Sequence, residues 1–255
     1  MNASVAEVLA GITGWEDAAY TDLSGGLTNT SWLVDSGDRK AVLKIDDDPR
    51  SVPFNARPTE AQIQTRAVNQ GLANNVIYVS DTVLMTEFVD GKVWTTKCLQ
   101  ADENLEKLAA AMKQLHALPL TGRTFDAIGA ARNYAHRIRA RGCDSVEVRD
   151  CLARIEAMPL PQNLCCCHND LVVANIIYMP EIRFLDWEYA CDNDPFFDIA
   201  TVVAHHQLPP ERAEYLLNAY FDGEGARWSE QLSRQTEFYD ALHWLWEASR
   251  SPTVA

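Results

Sequence analysis

Between Cys165 and Asp198 the sequence concentrates side chains that could catalyse metal-assisted phosphoryl transfer. Asp170 lies in a short polar stretch after an apolar run, and Asn175 follows five positions later. The apolar residues on either side of 179–181 predict two strands, and proline in that segment predicts the turn that joins them.

This predicted hairpin would bring oxygen-bearing side chains together. In an antiparallel pair, the start of the first strand lies beside the end of the second. Asn175 opens the first strand, Asp186 follows the second, and Asp170 lies in the loop just before them. Hard oxygen ligands of this kind suit Mg²⁺, which also takes oxygens from nucleotide phosphates. The sequence therefore predicts Asn175 and Asp186 as metal ligands.

The same segment resembles the catalytic core of the protein-kinase-like small-molecule kinases, whose catalytic loop has the pattern His-x-Asp-(four residues)-Asn. It is most similar to the choline/ethanolamine kinase and thiamine kinase branch of the aminoglycoside phosphotransferase superfamily. The residues that carry the resemblance are His168, Asn169, Asp170, Asn175, Asp186–Glu188, Asn193–Pro195 and Asp198–Ala200.

The resemblance implies an α+β, bilobal protein-kinase-like fold. Residues 1–89 would form a small antiparallel-sheet N-lobe that binds nucleotide, and residues 90–255 a larger, mainly helical C-lobe with the catalytic and acceptor sites. ATP and Mg²⁺ are the implied cofactors, with ATP in the cleft between the lobes. The implied cofactor-binding residues are Ser24, Gly25, Gly26, Thr28, Asn29, Lys44, Glu60, Glu87 and Val89.

These nucleotide-binding residues have individual alternatives. Glycines at 25 and 26 let a backbone approach phosphates closely, although an ordinary hairpin turn also uses such a pair. By the resemblance, Lys44 grips phosphates and pairs with Glu60 on a helix. A solvated Glu60 and a lysine that only extends from a strand edge are the alternatives. Backbone groups at 87–89 would hydrogen-bond adenine.

In the implied mechanism, Asp170 orients the acceptor hydroxyl and takes its proton, with Asn175 and Asp186 as the other catalytic residues. His168 would brace the loop, and His116 would be structural. Asp198 would tie the metal hairpin to the catalytic loop; alternatively, it caps the helix that begins near residue 199.

The implied acceptor is a cationic, choline-like amino alcohol, held by aromatic faces and carboxylates. Candidate substrate residues are Asp170, Glu188, Tyr189 and His205, with Trp187, Trp228, Trp244 and Trp246 as aromatics that could equally be core. His205 stands where the choline kinase branch usually has a glutamate. This departure leaves thiamine or another amino alcohol open as the acceptor. An aminoglycoside or amino-sugar phosphotransferase and a nucleotide-binding pseudokinase are separate alternatives.

Composition narrows the class of protein further. The chain has 255 residues and a net charge of −14, which argues against nucleic-acid binding. No segment approaches the roughly 20 apolar residues of a membrane span. Seven cysteines, three of them contiguous, make a poor disulfide framework and predict a reducing, cytoplasmic location. Zinc binding by Cys165, Cys167, His168 and a later histidine is one interpretation of the triplet; a buried strand is the other.

Overall fold

The computed structural model describes residues 4–23, 30–47, 49 and 56–250. The helices are α1 Val5–Ala10, α2 Arg57–Val68, α3 Asp102–His116, α4 Ala127–Arg139, α5 Val146–Ala157, α6 Pro195–His205, α7 Pro210–Tyr220 and α8 Ser229–Arg250. The strands are β1 Ala19–Asp22, β2 Thr30–Asp35, β3 Lys40–Ile45, β4 Val76–Val79, β5 Val83–Glu87, β6 Lys92–Val93, β7 Cys165–Cys167, β8 Ile176–Met179, β9 Glu181–Phe184 and β10 Cys191–Asn193.

The chain forms two compact units. The first contains residues 1–94 and 174–190, and the second contains residues 95–173 and 191–255. The hairpin of β8 and β9 thus groups with the N-terminal unit, an assignment that the sequence analysis did not make. The division into lobes at residues 89 and 90 stays a prediction.

The first unit is built on a five-stranded antiparallel sheet with the order β1-β2-β3-β5-β4. Side chains alternate across the central strand β3, as the period of two requires. Ala41 and Leu43 are fully buried on one face and pack into a core with Leu9 and Trp15. Lys44 therefore points to the opposite face of the sheet.

The residue pattern of this unit predicts strands at 31–35, 40–45, 73–80 and 83–88, and the structure has strands at 30–35, 40–45, 76–79 and 83–87. The apolar spacing of Val5, Val8, Leu9 and Ile12 predicts a helix over residues 1–18, but the observed helix is shorter. In the described residues it ends at Ala10, and its start at Val5 is set by a capping box between Ser4 and Glu7.

The second unit is mainly helical. Helix α8 packs against α4, α5 and α6, while α3 packs against α7. The apolar spacing of this unit predicts helices at 105–118, 130–141, 146–158, 199–206, 211–220 and 229–246, and their ends lie within a few residues of those of α3 to α8. Helix α6 begins earlier than expected because Asp194 accepts a hydrogen bond from the N–H of Phe196 and Pro195 occupies the first helical position. One of the two predictions for Asp198, that it caps this helix, is therefore wrong.

A two-stranded sheet of β7 and β10 lies within this helical unit, with Cys165 opposite Asn193 and Cys167 opposite Cys191. Among the helices of the described ranges, none combines the length and the apolar character needed to cross a bilayer.

Candidate active site

The predicted metal-binding hairpin is present in the first unit. Strands β8 and β9 are antiparallel, with Ile176 opposite Phe184. One step further, the carbonyl oxygen of Asn175 accepts a hydrogen bond of 2.8 Å from the N–H of Leu185. Asn175 and Asp186 thus lie at the same end of one hairpin, as the sequence predicted.

Asp186 has a left-handed backbone conformation, with φ 62° and ψ 69°. Aspartate tolerates this region better than most residues, but the conformation still costs of order 1–3 kcal/mol. It ends strand β9 abruptly and turns the Asp186 carboxylate towards Lys44, whose Nζ lies 2.7 Å from its Oδ1. Such local strain is typical of residues that a fold holds in place for function.

Lys44 is the centre of this ionic network. Its Nζ also lies 3.3 Å from Oε1 of Glu60, so the predicted Lys44–Glu60 pair is formed. The Lys44 side chain is 14% exposed and that of Glu60 is fully buried. Burial alone would lower the pKa of Lys44, but Asp186 and then Glu60 raise it above its ordinary value, so the ammonium stays charged.

Sequence analysis missed two members of the network, Arg57 and Asp46. The fully buried Arg57 guanidinium donates to both carboxylate oxygens of Asp46, at 2.7 and 2.8 Å, and to Oε2 of Glu60 at 2.7 Å. Glu60 therefore bridges Arg57 and Lys44. The only sequence indication was the spacing of three between Arg57 and Glu60, which places them on one face of a helix.

In the second unit, the Asp198 carboxylate holds the loop at His168 and Asn169. It accepts the N–H of His168 at 2.9 Å and that of Asn169 at 2.7 Å, and Nε2 of His116 lies 3.0 Å away. Asp198 is fully buried. Charge-assisted hydrogen bonds of this kind fix the loop that leads directly into Asp170.

Asn169 adds side-chain bonds to this arrangement. Its φ is 63°, a left-handed conformation that asparagine accepts more readily than most residues. Its Nδ2 donates to the carbonyl oxygen of Cys191 at 3.3 Å, and its Oδ1 accepts from Asn193 at 2.8 Å. The loop before Asp170 is thereby fastened to strand β10.

Asp170 itself is half-buried and lies near an aromatic cluster from helices α6 and α8. Burial raises the pKa of Tyr239, and the charge of Asp170 raises it further. The Tyr239 hydroxyl lies 3.0 Å from Nδ1 of His205, and the ring of His243 stacks on that of Tyr239 at 5.5 Å. Helix α8 thus brings aromatic faces to the neighbourhood of Asp170.

The other proposed acceptor residues fall in different surroundings. Glu188 is buried in the first unit, and its charge acts on Lys44. Tyr189 follows it in the same short turn and is half-buried. In the second unit, Trp228 stacks on Phe221 at 5.0 Å, with both side chains half-buried, and Trp246 stacks on His243 at 5.7 Å.

Only some of the other residues predicted to bind nucleotide lie within the described ranges. Ser24, Gly25, Gly26, Thr28 and Asn29 lie outside the described residues. The Glu87 N–H donates to Asn75, its carbonyl oxygen accepts from Asn74, and Val89 is buried.

Residues 19–244 match the model of a protein family described as the APH phosphotransferase enzyme family. Protein LicA of Haemophilus influenzae is 29% identical over 210 residues, which cover 77% of this chain and 61% of LicA. The chain therefore spans about three fifths of the length of this curated relative.

Two solved structures show the same fold at lower identity. Choline kinase LicA from Streptococcus pneumoniae superposes with a TM-score of 0.75 at 17% identity, covering 91% of this chain and 85% of LicA. Macrolide 2′-phosphotransferase MphH from Brachybacterium faecium gives 0.67 at 20% identity, covering 90% and 86%. These similarities confirm the predicted α+β, protein-kinase-like fold.

Replacing Arg57 by leucine should destabilise the first unit strongly. The change leaves Glu60 and Asp46 without their guanidinium partner, and loss of one member of a buried ion pair costs about 3–5 kcal/mol. Chemical denaturation measures the free energy of unfolding. Arg154→Leu on the exposed surface of α5 is the control and should change it by less than about 0.5 kcal/mol. Equal effects of the two substitutions would contradict the proposed structural role of Arg57.

His206 should make the protein acid-sensitive. Its Nε2 accepts the N–H of Val173 at 3.0 Å, and burial, followed by the charge of His205, lowers its pKa from 6.5 to about 4. Between pH 6.5 and 4 the unfolded chain then binds more protons than the folded one, so stability falls as the pH falls through this window.

The variant His206→Gln keeps a hydrogen-bond acceptor but cannot be protonated. Unfolding free energies measured from pH 7 to pH 4 should therefore decline less steeply in His206→Gln than in the wild type. His136→Gln, on the exposed side of α4, should retain the wild-type decline. An unchanged slope in His206→Gln would show that this histidine does not titrate as described.

Proposed function

Because this chain belongs to the phosphotransferase enzyme family, we propose that it is an ATP-dependent kinase that phosphorylates a hydroxyl of a choline-like amino alcohol. The observation that carries the proposal is the buried ammonium of Lys44 between Glu60 and Asp186. Phosphoryl transfer depends on positioning and on neutralising phosphate charge. A lysine held charged and oriented by two carboxylates suits both tasks.

In this proposal, Lys44 binds the phosphates that are not transferred. Glu60 keeps its ammonium in place, and Arg57 in turn fixes Glu60. Lys44 exchanges its contact with Asp186 for phosphate oxygens when nucleotide binds, which leaves the Asp186 carboxylate available as a metal ligand.

The residues at the base of the hairpin fit Mg²⁺. Asn175 offers an amide oxygen and Asp186 a carboxylate, both hard ligands. When bound, Mg²⁺ would neutralise charge on the phosphates.

Asp170 is the proposed general base. Its loop is fixed by Asp198 through the N–H groups of His168 and Asn169. A carboxylate at a fixed position can accept a hydrogen bond from the acceptor hydroxyl, orient its oxygen and take its proton as the new P–O bond forms.

The aromatic cluster beside Asp170 supports a cationic acceptor. The ring of Tyr239 could attract an ammonium group through a cation–π interaction. Burial, followed by the charge of His243, lowers the pKa of His205, so this histidine is predominantly neutral at pH 7 and does not repel a cation. The S. pneumoniae LicA that shares this fold is a choline kinase, which supports the same acceptor class.

Two alternatives use the same catalytic residues. Thiamine or an amino sugar would present a different shape at the acceptor site. Both stay possible acceptors because position 205 is histidine, where the choline kinase branch usually has glutamate. A pseudokinase would bind Mg-ATP without transferring phosphate. Acceptor-dependent release of ADP distinguishes the kinases from the pseudokinase.

An acceptor panel tests the proposal directly. Choline, ethanolamine, thiamine, an aminoglycoside and a macrolide are each incubated with the protein, ATP and Mg²⁺, and the ADP released is measured. ADP release that depends on choline or ethanolamine is the expected result. Preference for another acceptor would overturn the acceptor class, and nucleotide binding without any acceptor-dependent release would overturn the kinase assignment.

Asp170→Asn should lower turnover with the acceptor identified in this way by about 100- to 10,000-fold, the usual contribution of a general base. The fold and Mg-ATP affinity should be nearly unchanged, because asparagine has almost the same shape. Asp150→Asn, on the exposed surface of α5, is the matched control and should retain full activity. Full turnover by Asp170→Asn would exclude Asp170 as the base.

A further inference from the structure

A second cluster of potential metal ligands lies in the helical unit. Cys165 and Cys167 are two positions apart on strand β7 and so lie on the same face, where their Sγ atoms are 3.4 Å apart. His116, the last residue of α3, faces them. One ligand atom from each of the three side chains lies within 4.8 Å of the other two.

The hydrogen bonds of His116 determine which of its ring nitrogens can bind a metal. Its Nε2 lies 3.0 Å from Oδ2 of Asp198, and a carboxylate can only accept, so Nε2 carries the proton. Its Nδ1 is then an acceptor and receives the hydroxyl of Tyr220 at 2.6 Å. A histidine whose other nitrogen donates to a carboxylate is the usual arrangement around protein-bound metals.

We propose that Cys165 Sγ, Cys167 Sγ and His116 Nδ1 bind one thiophilic divalent cation of the Zn²⁺ class, with Tyr220 or a water molecule at the fourth position. Two sulfurs of a tetrahedral zinc site lie about 3.8 Å apart, given Zn–S bonds of about 2.3 Å. The observed 3.4 Å needs only a small side-chain adjustment. Both thiols release their protons on binding, and no atom changes oxidation state.

The proposed site differs from the zinc interpretation of the sequence, which combined Cys165 and Cys167 with His168 and a later histidine. The histidine whose ring lies near the two thiols is His116 from α3. Cys165 is half-buried, whereas the His116 side chain is only 5% exposed. Metal binding here needs neither nucleotide nor acceptor, so it can be tested separately from the proposed kinase function.

Cadmium is a suitable probe, because its bonds to thiolates absorb in the ultraviolet. The full-length protein is treated with a chelator and a thiol-free reductant, the chelator is removed, and Cd²⁺ is added stepwise. We expect one ion per chain, absorption corresponding to two thiolates, and release of about two protons to a weak buffer. Excess Zn²⁺ should remove the band by competition.

Single substitutions identify the ligands. Cys165→Ser and Cys167→Ser should each lose about half of the band and bind Cd²⁺ more than about tenfold more weakly. Cys98→Ser and Cys151→Ser, which change half-buried thiols elsewhere in the same unit, should match the wild type. Circular dichroism confirms that each variant is folded.

A measurement on the wild type avoids any risk of misfolding. Zn²⁺ should slow alkylation of Cys165 while leaving Cys98 and Cys151 as reactive as before, as followed by mass spectrometry of peptides. Absence of stoichiometric binding, a band of full wild-type intensity in Cys165→Ser, or equal protection of all the thiols would overturn the proposal. Formation of a Cys165–Cys167 disulfide in place of metal binding under these reducing conditions would overturn it as well.

Discussion

The N-terminal unit depends on the balance of charge around the Lys44 ammonium. A buried cation is tolerated only when carboxylates compensate its loss of hydration, and Lys44 has Asp186 at 2.7 Å and Glu60 at 3.3 Å. Asp186 belongs to the hairpin of β8 and β9, and Glu60 belongs to helix α2. Because Lys44 lies on the sheet, its ammonium connects the sheet to both elements. The same contacts that stabilise the unit also place a charged lysine beside the proposed metal ligand.

Asp198 has a corresponding role in the helical unit. Its two oxygens accept the N–H groups of His168 and Asn169 and bond to His116, so a single buried carboxylate fixes the loop before Asp170. Each unit thus uses one charged side chain to hold backbone and side chains that the proposed chemistry requires. In each unit, a residue with a left-handed backbone contacts this charged side chain. Asp186 contacts Lys44 in the first unit, and Asn169 contacts Asp198 in the second.

Local patterns in the sequence were sufficient for the hairpin and for most helix positions, and the resemblance to the kinase family predicted the Lys44–Glu60 pair. They failed where a contact joins segments that no short-range pattern relates. Arg57 gave little indication that it would be buried, because its partner Asp46 lies eleven residues away across a polar stretch. His116 reaches Asp198 from 82 positions away. For helix α6, Asp194 followed by Pro195 is itself a local start signal, which the sequence analysis overlooked in favour of Asp198.

The central claim is that the carboxylate held by Lys44 becomes a ligand of the magnesium that accompanies ATP. Calorimetric titration of ATP with and without Mg²⁺, for the wild type and for Asp186→Asn, tests it most directly. Mg²⁺ should tighten ATP binding to the wild type, and this gain should largely disappear in the variant while metal-free binding persists. The same magnesium-dependent gain in both proteins would contradict the claim.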